Sequence, residues 1–141
     1  MPYCTQDDLL KLIPELELSQ ITAETGDVSD AAVVSECIAK AAAEIDAYLS
    51  VRYVLPLTDV PAQVKHLAVD MAIYHLYSRR SIESPVRAKN YDRAVAFLKD
   101  VAAGRVQVIG ATGVELPGDA EQVTEVSSSE RVFDRGKLSG F

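Results

Sequence analysis

Over most of the first hundred residues, apolar side chains recur every three or four positions, the spacing that gathers them on one side of an α-helix. Thr5-Gln6-Asp7-Asp8 predicts a helix start, with a hydroxyl for the free backbone N–H groups and carboxylates at the positive helix end. Leu9, Leu10, Leu12 and Ile13 give a short helix over residues 5–13 its apolar side, and Pro14 stops it. Residues 15–28 hold Leu16, Leu18 and Ile21 before a turn-like Thr25-Gly26-Asp27, and predict a connector with room for one helical turn.

Ser29 or Asp30 opens a long helix over 30–53, where Val34, Ile38, Ala41, Ala42, Ile45, Tyr48, Leu49 and Arg52 form one stripe. Pro56 forces Leu55 out of helical geometry, so Tyr53-Val54-Leu55-Pro56-Leu57 reads as an extended apolar crossing. Pro61 suits the first turn of a second long helix over 60–80. Val64, Leu67, Ala68, Met71, Tyr74 and Ser78 make one stripe there, and Val69, Ile73 and Leu76 add apolar groups on other sides. A helix apolar nearly all round is buried by its own domain or by a neighbouring subunit, and this one is expected at the centre. Ser84-Pro85 starts a third long helix over 86–103, with Ala88, Tyr91, Ala94, Val95, Leu98, Val101 and Ala102 as its core stripe and Gly104 placed for a left-handed cap.

Beyond Gly104 the pattern changes. Arg105-Val106-Gln107-Val108-Ile109 alternates weakly like a strand, then Gly110, Gly113 and Gly118 break it up. Large apolar groups are too few over residues 105–141 to build a second core, and such a stretch, extended, could span on the order of 120 Å. The expected fold is mainly α: a small helical bundle of a short N-terminal helix plus three long helices over 1–104, with an extended C-terminal interaction arm over 105–141 and minor β. A neighbouring chain is the expected support for the arm.

Length and charge narrow the function. The 141 residues fit one domain, and 14 Lys+Arg against 21 Asp+Glu leave a net charge of −7, a poor match to a phosphate backbone. No stretch approaches the roughly 20 apolar residues of a membrane span and no secretory leader follows Met1, so a soluble protein made inside the cell is expected. Cys4 and Cys37 match no zinc or disulfide pattern and read as small core residues. His66, Asp70 and His75 lie near one helix side but complete no metal motif, and Tyr48, Tyr53, Tyr74, Tyr77 and Tyr91 read as core and rim packing rather than a stacking platform. No nucleophile elbow, phosphate loop or dinucleotide fingerprint occurs, so no catalytic residue, cofactor or metal is assigned. Arg79, Arg80, Arg87, Lys89 and Arg93 are the one basic concentration. Residues 1–28 carry six acids against one base, and pairing between these regions of adjacent copies would orient docking.

The order of these pieces carries a resemblance. A long helix runs into Tyr53-Val54-Leu55-Pro56-Leu57; Pro61 precedes Leu67-Ala68-Val69-Asp70-Met71-Ala72-Ile73-Tyr74-His75-Leu76-Tyr77; Arg87 to Leu98 leads to Ala102-Ala103-Gly104; Arg131-Val132-Phe133-Asp134-Arg135 and Leu138-Ser139-Gly140-Phe141 close the chain. In this the chain resembles the small head-to-tail connector (neck adaptor, head-completion) proteins of Mu-like phages and prophages. The resemblance implies a non-enzymatic virion protein, made in the bacterial host cytoplasm and placed in the virion neck. It also implies a homo-oligomeric ring of about twelve copies, bound to the portal protein and to a tail or tail-completion protein, with DNA only in transit through the channel. The expected subunit or partner contacts are Arg79, Arg80, Arg87 and Arg93 on the body, and Arg131, Phe133, Arg135, Leu138 and Phe141 on the arm. The other reading is a small helical regulatory module binding nucleic acid or a host protein. It needs a compact basic face, whereas residues 85–104 carry only four basic groups against two acids.

Overall fold

A computed structural model describes residues 2–108. Within them the chain is mainly helical, with α1 (Gln6–Leu10), α2 (Glu15–Thr22), α3 (Ala31–Leu49), α4 (Ala62–Arg79) and α5 (Pro85–Ala102), and almost no strand. The expected helical bundle is present. The expected residues of the arm from Ile109 onward, including Arg131, Phe133, Arg135, Leu138 and Phe141, lie outside the described residues.

The N-terminal segment departs from expectation. The first helix ends at Leu10, not at Pro14: Leu12 and Ile13 both return their N–H groups to the Leu9 carbonyl at 3.0 Å in a turn ahead of Pro14. The Pro14 carbonyl instead accepts the Leu18 N–H at 3.0 Å and opens α2, a helix of 8 residues where a connector was expected. Two of the side chains that make α2 look polar are buried. Ser19 Oγ donates to the Leu16 carbonyl at 2.7 Å and Thr22 Oγ1 to the Leu18 carbonyl at 2.7 Å, which lets both hydroxyls enter the core beside Leu18 and Ile21. At α1, the Thr5 N–H and hydroxyl both donate to Asp8 Oδ2 at 3.0 Å.

α3 and α5 turn their stripes to the core, whereas on α4 only Val64, Ala68 and Met71 of the expected stripe are buried. Leu67 and Tyr74 are half-buried and Ser78 is exposed, because the helix is covered on several sides. Asp30 caps α3, its Oδ1 accepting the Ala32 N–H at 2.9 Å and the Val33 N–H at 3.4 Å. Val34, Ile38, Ala41, Ala42, Ile45 and Leu49 of the expected stripe are buried, and Cys37 joins them. The helix stops at Leu49 rather than near Tyr53. Arg52 and Tyr53 both return their N–H groups to the Leu49 carbonyl, closing a turn before the crossing, in which Tyr53 and Leu57 are buried. Of the two covers allowed for α4, its own domain is the one observed: it packs against α1, α2, α3 and α5, with Val64, Ala68, Val69, Met71, Ala72, Ile73, His75 and Leu76 buried. On α5, Ala94, Leu98 and Val101 face the core, while Tyr91 is half-buried.

Gly104 adopts φ +77°, the left-handed region expected of it, and a Cβ there would collide with the Arg52 guanidinium. That guanidinium caps the helix end, Nε donating to the Ala102 carbonyl at 3.2 Å. Past Gly104 the chain turns back onto the body rather than leaving at residue 105. Arg105 N–H bonds the Asp100 carbonyl at 2.9 Å, and buried Val108 donates its N–H to Tyr53 Oη at 3.0 Å. Residues 105–108 form no strand, and Ile109, the last residue of the expected one, lies outside the described residues.

Candidate interaction surface

The α4–α5 corner is built by a tight helix ending. Ile82 N–H returns to the Tyr77 carbonyl at 3.1 Å and Ser81 N–H to the Ser78 carbonyl at 3.0 Å, the pair of bonds that closes a helix through a left-handed residue. Ser81 takes that place, at φ +56°. Ser84 and Pro85 then start α5. The reversal leaves an open groove of about 480 Å³ whose walls include Tyr74, Tyr77, Ile82, Pro85 and Arg87. Ile82 is 44% exposed and Val86, one residue into α5, 66% exposed. Arg87 lies over the Tyr77 ring at 6.0 Å, at the outer limit of a cation–π contact. Tyr74 and Tyr91 stack at 4.1 Å and 16°, fixing the groove's inner wall.

The structure divides the four body arginines. Arg87 lines the groove, and Arg93 is exposed further along α5. Arg79 and Arg80 turn toward α2 instead. Arg80 Nε donates to the Ile21 carbonyl at 3.2 Å and its Nη2 to the Ala23 carbonyl, so this side chain holds the C-terminal end of α2 against α4. Arg79 Nη2 lies 3.9 Å from Glu24 Oε1, a loose pair in solvent. Nothing in a linear reading shows that Arg80 is a strut, because α2 itself was not expected.

A second surface forms at the other end of the N-terminal segment. Gln6 Nε2 donates to Ser29 Oγ at 3.2 Å, and Ser29 Oγ donates to Glu15 Oε1 at 2.7 Å. This chain of bonds gathers the starts of α1 and α2 and the entry to α3. Leu16, 63% exposed, and Val28, 78% exposed, come to the same end of the molecule among exposed Asp7, Glu15 and Asp27.

Among the described residues, a polar cluster that the sequence did not suggest forms between α3, α4 and α5. His66, Asp70 and His75 do not converge. His66 is exposed, while His75 is buried toward α3, its Nε2 3.0 Å from Glu44 Oε1 but off the line a hydrogen bond requires. Tyr91 Oη donates to the other Glu44 oxygen at 3.0 Å, and the His75 ring meets Tyr74 and Tyr91 edge-on, each at 5.7 Å. Burial lowers the His75 pKa, against the pull of Glu44 and with help from Lys40. Burial and the bond to Glu44 push the Tyr91 phenol up to about 12. Burial likewise raises the Asp70 carboxyl, although Arg87 and His66 draw it down. Cys4 and Cys37 are both buried, and burial raises both thiols, Cys4 to about 11. At neutral pH they hold little thiolate.

Among the described residues no helix is long and apolar enough to cross a membrane. Compared with known proteins, the chain is 32% identical over 143 residues to "Gene product J" of Escherichia phage Mu, covering 100% of this chain and 99% of that protein. It is 29% identical over 140 residues to "Mu-like prophage FluMu protein gp36" of Haemophilus influenzae strain Rd, covering 99% of this chain and 97% of that protein. Residues 3–126 match the protein family described as "Bacteriophage Mu, Gp36". The chain therefore belongs to the bacteriophage Mu Gp36 family, a family of Mu-like phage proteins.

Proposed function

We propose that this Mu-family protein is a structural, non-catalytic part of the virion neck: a ring-forming connector seated between portal and tail, with DNA passing through its channel. One observation carries the reading. The helical body leaves two chemically unlike surfaces uncovered, an aromatic groove bordered by Arg87 and an acidic end bearing Leu16 and Val28. A subunit that uses two different patches to meet its neighbours builds a ring whenever the rotation between copies closes. The net charge of −7 suits a channel that lets DNA slide, since like charge discourages adhesion during transit.

Mass measurement of the purified protein, alone and mixed with portal particles, tests the reading. The expected result is a defined multimer of this chain on the portal. A chain that stays apart from portal particles at every concentration would overturn it. A gel-shift series adds a second check: the expected outcome is no retention of duplex DNA at physiological salt, and retention there contradicts a passive channel.

A further inference from the structure

We propose that the acidic end of one copy, carrying Leu16 and Val28, seats on the α4–α5 groove of the next copy as a head-to-tail contact between identical chains. The inference rests on the connector reading and adds to it the two surfaces that meet. Position comes first. α1 and α2 lie against one flank of α4, held by the Asp8–Lys65 ion pair at 3.0 Å and by Arg80 on the α2 carbonyls. α5 lies on another flank, through the Tyr74–Tyr91 stack and the Arg87–Tyr77 contact. The acidic end and the groove therefore face different ways on one subunit, and two copies bring them together by a contact of unlike patches.

The surfaces also match in chemistry. Each presents apolar side chains to water: Leu16 and Val28 on one, Ile82 with the Tyr77 ring in the groove of the other, and exposed Val86 between the lining residues Pro85 and Arg87 in sequence. Each rims them with charge of opposite sign. Asp7, Glu15 and Asp27 are exposed around the first, Lys89 and Arg93 are exposed on α5 beside the second, and Arg87 stands in the groove wall. Glu83 lines the groove and Asp92 is exposed on α5, so three basic side chains, Arg87, Lys89 and Arg93, stand against these two acids, with Arg79 and Arg80 turned away toward α2. Removing the aliphatic groups from water supplies affinity, and the charges set orientation and the rate of encounter.

A photoreactive residue in place of Leu16, in the full-length chain, tests the contact both in concentrated protein and in phage particles. Cross-links should join residue 16 of one copy to residues 74–88 of another, with isotopically mixed copies separating links between chains from links within one. Two charge reversals then probe specificity. Asp7→Lys with Asp27→Lys, and separately Lys89→Glu with Arg93→Glu, should each cut the cross-link yield about tenfold at low salt, and joining both sets in one chain should restore it. All four positions are exposed, so circular dichroism should stay unchanged. Val86→Asp, also on the surface, should abolish the link whatever the charges do.

Links confined to one chain, links between copies that map elsewhere, absence of links, or reversed pairs that fail to rescue would overturn the contact. Overturning it leaves the connector reading intact if the chain is still recovered bound to portal. Cross-links as expected, in a chain that never binds portal, sink the connector reading and keep the contact.

Discussion

Lys65 reaches from α4 to the Asp8 oxygen that Lys11 also binds, each at 3.0 Å, while Thr5 occupies the second oxygen. Burial by itself would raise the Asp8 pKa, but the two ammonium groups and the Thr5 donors outweigh it and hold the carboxyl well below the usual range. The folded chain thus binds fewer protons at this site than the unfolded chain. The resulting stability is complete above the ordinary Asp pKa of about 3.9 and is lost as pH falls further. Asp8→Asn should destabilise by about 1–2 kcal/mol at pH 7 and flatten the fall in stability between roughly pH 5 and pH 2, as read from urea unfolding. His75 acts in a separate window. Its folded pKa lies below the unfolded value, so stability should decline once pH drops under about 6.5, where the unfolded chain takes up a proton that the buried ring resists. His75→Phe should remove that decline between roughly pH 7 and pH 5, and a slope unchanged from the native chain would show that the ring is not its source. The Thr5–Asp8 cap is legible as a spacing of three residues. Lys65 and Glu44 are not, because their partners lie on other helices and no local period announces them.

At the scale of elements, the three long helices were legible because each carries its apolar stripe at 3.6-residue spacing and a local stop or start: Asp30, Pro61, Pro85, Gly104. α2 was hidden for a physical reason. Ser19 and Thr22 read as polar surface positions, yet both hydroxyls fold back on their own helix and bury, so half the inward face carries no hydrophobic signal. Its C-terminal end is also held from a distance. Arg80 satisfies the carbonyls of Ile21 and Ala23 across 59 and 57 residues of sequence. Arg80→Ala should therefore cost about 1 kcal/mol and loosen α2, seen as faster amide exchange over residues 18–23 with α3 and α5 unchanged. That outcome separates Arg80 from Arg87 and Arg93, which the linear sequence groups together. A variant that weakens assembly with amide exchange unaltered would return Arg80 to the docking group.

For the whole molecule, the decisive geometry is where the body ends. Burial of Val108, and its bond to Tyr53 Oη, carry the packed region past the boundary expected at Gly104, so the body reaches at least residue 108. Composition could not place that edge, because one valine after a glycine cap weighs nothing in a window of mixed residues. All five helices draw their buried faces from one another, with Leu9, Leu18, Ile45, Met71 and Leu98 fully enclosed. Deleting residues 124–141 removes none of these groups. The truncated chain should keep its helical circular dichroism and melt within a few degrees of the full chain, while its binding to portal or tail partners falls. If helicity is lost instead, residues 124–141 belong to the core and cannot serve as a docking arm. If folding and docking both survive, the body alone makes the partner contacts, and the aromatic and basic side chains from Arg131 to Phe141 act elsewhere. On the head-to-tail contact proposed above, copies meet through the body alone, so ring closure and portal docking should separate in this one variant: copies still associate, and the portal is no longer held.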